Sequence, residues 1–112
     1  MDSKMIEYIV DEYGNQYWYL NGKWHREDGP AVIWADGEHE WYLNDELHRK
    51  DGPAIIHSDG TQEWWINGKC HREDGPAVIY PNGIEEWHLN GIQHEPKNKF
   101  NIITNHNIKN GF

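Results

Sequence analysis

Three dipeptides in this 112-residue chain carry side chains that commonly handle anions, metals or protons: His25-Arg26, His48-Arg49 and His71-Arg72, with His94 opening a fourth copy. Each Arg stands two residues before an Asp (Asp28, Asp51, Asp74), and the one cysteine, Cys70, adjoins His71. Repeated Arg and His in equivalent loops could grip phosphates, with aromatic rings stacking the base of a nucleotide-like ligand. Zinc fits less well. Equivalent residues of successive hairpins lie two strands apart, about 9.5 Å, whereas zinc ligands stand about 2.0 to 2.3 Å from a shared ion. Cys70 and His71, adjacent on a strand, point to opposite faces. The better reading of Arg and Asp at this spacing is a loop clasp, the guanidinium fork holding a turn carboxylate. Catalysis finds no footing: there is no serine or cysteine nucleophile beside a base, no carboxylate pair set apart by environment, and no Gly-rich phosphate loop on a helix. Three near-identical loops do not make one asymmetric catalytic centre, so neither enzymatic activity nor a cofactor is expected.

These residues are positioned by a 23-residue repeat. Trp24-His25-Arg26-Glu27-Asp28-Gly29-Pro30-Ala31-Val32-Ile33 returns from Leu47 to Ile56 and again from Cys70 to Ile79. The other half of the unit occurs four times, as Trp18 to Gly22, Trp41 to Asp45, Trp64 to Gly68 and Trp87 to Gly91. Asp36-Gly37, Asp59-Gly60 and Asn82-Gly83 join the halves, and such dipeptides favour the positive φ of tight hairpin turns. Between turns lie short β-branched and aromatic runs with no helical period before residue 95. The pattern predicts an all-β chain of tandem antiparallel β-hairpins in a single-layer meander. Residues 1–13 supply a cap strand, within 5–13; residues 14–94 carry the repeats; residues 95–112 form a capping tail, with a short helix near 100–108.

Alternation along the second strand of each unit makes two ladders. Trp18, Trp41, Trp64 and Trp87 with Leu20, Leu43, Ile66 and Leu89 scarcely vary and read as a core stripe. Tyr19, Tyr42, Trp65 and His88 are aromatic but differ at every step, bordered by Glu40, Glu63 and Glu86; that row reads as a protein-binding surface or a second minor core. The first strand depends on its turn. A two-residue turn at Asp36-Gly37, the favoured reading, puts Val32 and Trp34 beside Trp41, whereas a three-residue loop puts Ala31 and Ile33 there. Trp34, His57 and Tyr80 stay open between the two faces.

The balance of 19 acidic against 10 basic residues, a formal charge of −9, argues against nucleic acid or an anionic membrane surface and for a basic partner. One cysteine excludes an internal disulfide, no signal-like start appears, and no run approaches a membrane span. A soluble, cytoplasmic protein is expected.

The unit Trp-x-Leu-Asn-Gly-Lys-x-His-x-x-x-Gly-Pro-Ala followed by Asp-Gly, seen at Asn67-Gly68-Lys69 and Asp59-Gly60, resembles a variant of the MORN repeat over residues 14 to 94. It departs from that family where Arg26, Arg49 and Arg72 stand in place of the usual Gly after His, a subtype found in short bacteriophage and giant-virus proteins. The resemblance implies an elongated hairpin array used for protein binding, scaffolding or dimerisation, and a viral-type accessory inhibitor or adaptor acting on a host protein, such as a defence factor, in the host cytoplasm. Two functions follow as expectations. One is a non-enzymatic module docking a host protein on Tyr19, Tyr42, Trp65, His88, Glu40, Glu63 and Glu86, free in either case to pair with a second copy. The other is a nucleotide-like sponge built on His25, Arg26, His48, Arg49, His71 and Arg72.

Overall fold

The computed structural model describes residues 4–96, which form fourteen short strands and no helix. Each repeat unit is a hairpin closed by three residues. Trp34 N–H donates to Glu38 O at 2.9 Å and Gly37 N–H to Trp34 O at 2.9 Å, so residues 35–37 form the loop, with Gly37 at φ +97°. The Asp36 carboxylate also accepts the Glu38 N–H at 2.9 Å, an Asx turn that holds the extra residue in place. The loops after His57 and Tyr80 repeat this, with Asp59 and Asn82 in the Asp36 role.

The favoured two-residue turn is therefore corrected. Val32 stands opposite Glu40 and Ile33 opposite His39, which places Ala31 and Ile33 with Trp41, and moves Trp34, His57 and Tyr80 to the face of Tyr42, Trp65 and His88. Asp-Gly suits both turn types because each needs a positive φ at the glycine; the side-chain bond of Asp36 to a backbone amide decides between them.

The same loop closes at the start of the chain. Asp11 N–H donates to Asn15 O at 3.0 Å, with Gly14 at φ +88°, so β1 (Ile6–Val10) and β2 (Gln16–Leu20) are a further copy of the hairpin. Later copies are β4 (Val32–Ile33) with β5 (His39–Glu40), β8 (Ile55–Ile56) with β9 (Gln62–Glu63), and β12 (Val78–Ile79) with β13 (Glu85–Leu89). They pair in chain order as one antiparallel meander that does not close into a barrel.

Asn-Gly and its variant Asn44-Asp45 make the second kind of turn. Both residues have positive φ, 49° and 68° at Asn44 and Asp45, the two-residue turn whose twist suits a hairpin. Each joins the end of a unit to a short return strand: β3 (Lys23–Trp24) from β2, β7 (Glu46–Leu47) from β6 (Tyr42–Leu43), β11 (Lys69–Cys70) from β10 (Trp65–Ile66), and β14 (Ile92–His94) from β13. In the two middle units the chain leaves the main sheet at Trp41 and Trp64, so β6–β7 and β10–β11 are separate two-stranded tips. The tips stack through Asp45 N–H to Trp24 O, Gly68 N–H to Leu47 O and Gly91 N–H to Cys70 O, at 2.9, 2.9 and 2.8 Å.

The core is small. Ala31, Ala54 and Ala77 are fully buried on one face, and Val32, Ile55 and Val78 are buried on the other, joined by Cys70 and Thr61. The molecule measures 67 × 34 × 18 Å, a thickness that leaves no room for a second layer over either face. The Trp ladder expected as a core stripe is accordingly only half-buried. The cap expected over residues 95–112, with its helix near 100–108, lies outside the described residues beyond residue 96.

Candidate functional site

The repeated loops hold their guanidinium groups inward, against the Trp ladder. The guanidinium of Arg26 lies 4.0 Å over the Trp18 ring, and Arg49 and Arg72 lie 4.0 Å over Trp41 and Trp64. In each case Nε donates to the Asp two residues on (3.2, 3.1 and 3.1 Å) and Nη1 to the carbonyl of the loop proline at 3.1 Å. The plane is closed from above by the loop glycine. A Cβ built on Gly29, Gly52 or Gly75 would stand 2.8 Å from the Arg Cζ, so glycine serves close approach there, and none of the three has a positive φ.

The histidines of the same loops clasp the next unit. Nδ1 of His25, His48 and His71 accepts the backbone N–H of Asn44, Asn67 and Asn90 at 3.0, 3.0 and 2.9 Å, which satisfies a donor at the tight turn and leaves the proton on Nε2. Nε2 of His25 and His71 faces Glu27 and Glu73 at 3.3 Å; Lys50 occupies that position in the middle loop. Open grooves run between successive loops. One of them, about 800 Å³, is lined by Arg49, Lys50, Trp64, Ile66, His71 and Arg72 together with Asp51, Glu73 and Asp74.

The opposite face is organised by its acids. Each unit's glutamate holds two aromatic heads, one from the first strand and one from the second. Glu40 accepts from Trp34 Nε1 at 3.0 Å and Tyr42 Oη at 2.8 Å. Glu63 meets His57 Nε2 at 2.7 Å and accepts Trp65 Nε1 at 2.8 Å. Glu86 accepts Tyr80 Oη at 2.9 Å and meets His88 Nε2 at 3.1 Å. In the first unit the roles are exchanged: Tyr17 stands at the glutamate position and donates to Asp11 at 2.9 Å. Tyr17, Trp24, Trp34 and Tyr42 then form a ring cluster with centroids 5.0 to 6.5 Å apart, and Tyr19 adjoins Tyr17 at 6.3 Å.

Ring hydroxyls pay for these bonds in acidity. Burial, and then the carboxylate of Glu40, lift the Tyr42 hydroxyl well above the usual phenol range. The bonds from His88 and then Tyr80 hold Glu86 below the ordinary carboxylate value. On this face His57 also links units, its Nδ1 meeting Glu38 at 3.1 Å. Its bonds to Glu63 and Glu38 raise its pKa although burial works the other way. A hydrogen bond shared with Glu40, and then burial, push the Glu38 carboxyl up to about 7, against the pull of His57.

The seven residues expected to bind a partner thus lie on one face, and the six Arg and His residues of the alternative lie in the loops against the other. Sequence reasoning missed the part of Trp34, His57 and Tyr80. The signal was present, since every glutamate of the ladder has an aromatic six residues before it and another two after it. Among the described residues, no group of three His, Cys, Asp or Glu side chains could hold a metal ion. Burial pushes the Cys70 thiol up to about 11, which keeps it protonated and unreactive. No helix of the described residues is long and apolar enough to cross a membrane. No protein-family model, curated protein or solved structure matches the chain.

Proposed function

We propose that this protein is a non-enzymatic binding module that docks a basic segment of a protein partner on the face carrying Tyr19, Tyr42, Trp65 and His88 with Glu40, Glu63 and Glu86. The observation that carries this reading is the glutamate clamp. Because each carboxylate pins two aromatic heads, the rings are fixed before a partner arrives, which lowers the side-chain entropy lost on binding. The scaffold repeats while the clamped pair changes from Trp34/Tyr42 to His57/Trp65 to Tyr80/His88, so each step offers a different contact chemistry on one frame. The subtype resemblance extends the proposal to a host protein blocked by a viral-type accessory protein in the host cytoplasm.

The test is retention of a stoichiometric protein from host lysate by immobilised wild type, compared with Tyr42→Phe and Trp65→Phe. The first keeps the ring and removes its clamped hydroxyl; the second replaces the indole by a smaller ring that lacks the clamped N–H. A hot-spot role predicts a binding loss of about 2 kcal/mol or more at one of them, beyond any loss of stability. Retention unchanged in both variants refutes the aromatic face as the docking site.

The nucleotide-like sponge draws on the groove beside Arg49, Lys50, Trp64, His71 and Arg72. Its arginines are already neutralised by Asp51 and Asp74, which leaves Lys50 as the one loop cation of that groove without an acidic partner among the described residues, so we rank it second.

A further inference from the structure

The first strand of the sheet is exposed on both faces and along its outer edge. Ile6, Tyr8 and Val10 are 73, 55 and 53% exposed and lie on one face, in register with Leu20, Trp18 and Gln16. Met5 O accepts from Asn21 N–H and Asp11 N–H donates to Asn15 O, so the odd-numbered residues of this stretch turn their backbone groups toward β2. In an antiparallel ladder the alternate residues then turn theirs away. Among the described residues no strand pairs with the N–H and C=O groups of Ile6, Tyr8 and Val10, which form an open edge of the kind that recruits another strand.

We propose that this edge pairs with the same edge of a second copy, giving a two-fold dimer in which two meanders join into one continuous sheet. Self-complementarity is the argument for that occupant. The three outward residues are symmetric about Tyr8: in the antiparallel pairing centred there, Ile6 and Val10 exchange their backbone bonds with Val10 and Ile6 of the second copy, and the two Tyr8 residues exchange theirs. Apolar Ile6 then faces Val10, and Tyr8 faces its own image, both favourable cross-strand pairs. The same register brings Lys4 of each copy to the level of Glu12 of the other, so the charges flanking the edge also match. The far edge offers no such fit. β14 has three residues and is followed by Glu95 and Pro96, and proline has no N–H to give. A closed dimer is therefore favoured over an open head-to-tail filament.

Sedimentation of the full chain over a range of micromolar concentrations tests the proposal. Wild type is expected to dimerise. Tyr8→Lys, which sets two ammonium groups against each other at the symmetry axis, is expected to weaken the dimer at least about tenfold, the equivalent of about 1.4 kcal/mol. Should that variant fold poorly by circular dichroism, the exposed charge pair serves instead: Lys4→Glu weakens the dimer, and Lys4→Glu with Glu12→Lys restores it. A wild-type monomer throughout, a filament, or a dimer indifferent to both sets of changes overturns the proposal; indifference would place the contact elsewhere, as on the Trp face.

Discussion

At the scale of single residues the molecule is organised by sandwiches: an indole below, a guanidinium in the middle, a glycine Cα above. Arg49 gains from the face of Trp41 and from bonds to Asp51 and the Pro53 carbonyl, contributions of roughly 1 kcal/mol each at such half-exposed positions. Gly52→Ala inserts a methyl group 2.8 Å from Cζ. Arg49 could move aside, since its end is flexible, but only by leaving the ring and both acceptors. We predict a loss of about 2 kcal/mol for Gly52→Ala in urea denaturation of the wild type, and about 0.5 kcal/mol or less for the same change made on Arg49→Ala, where nothing remains to displace. Equal losses in both backgrounds would mean that Gly52 acts through backbone conformation. The glycine was legible in the sequence as a turn residue. Its actual duty was not, because Asp-Gly-Pro signals a loop whatever packs on it, and the partner Arg three residues earlier is seen only once the loop folds back over the Trp ladder.

At the scale of elements, the hairpins themselves were legible and their internal register was not. Turn dipeptides every 23 residues fixed where each strand ends, but one residue of loop length decides which side chains share a face, and the bond from Glu38 N–H to Asp36 that settles it is a property of the folded turn. Register in turn places His57 between Glu38 of one hairpin and Glu63 of the next, which makes it a joint between units. Both His57 and Glu38 have pKa values raised in the folded state. Groups raised in this way stabilise the fold at pH below their unfolded values and lose that contribution as pH rises through the folded ones. Glu38 loses its share between the ordinary 4.5 and about 7, and His57 loses its share above the ordinary 6.5. The joint should therefore weaken between pH 6 and pH 8. We predict that His57→Gln destabilises the protein more at pH 6 than at pH 8, by about 1 kcal/mol once solvent screening of this partly exposed cluster is allowed for. A difference of the opposite sign in paired thermal melts would show that the clasp forms with a neutral ring.

At the scale of the whole molecule, the described residues form a one-dimensional stack in which each hairpin pairs with its neighbours in chain order. The repeat made this legible; what it did not show is that, with seven Trp and six Tyr in the chain, the buried side chains are mainly alanine, valine and isoleucine between rings that stay half-open. Alanine at residues 31, 54 and 77 is what lets successive Trp residues flank the same strand, and the arginines then cover what a second layer would have covered. The repeating bonds carry a consequence for cooperativity. Every tip bond and every His clasp runs from one unit to the next with the same geometry, as from His25 to Asn44 and from His48 to Asn67. Removing one whole unit, residues 46–68, should therefore let Asp45 run into Lys69 with all remaining clasps re-formed, since residue 69 takes the place of residue 46. Stability in such arrays is close to a sum of unit and interface terms, so the shortened chain should still unfold in one cooperative step, with a smaller denaturant dependence in proportion to the surface it no longer buries. Deleting 46–66 instead, two residues short of a full unit, puts Asn67 where Glu46 stood and leaves the return strand out of step with its clasp. That chain should show no cooperative transition. If both deletions unfold alike, the repeats are held by something other than their stacking.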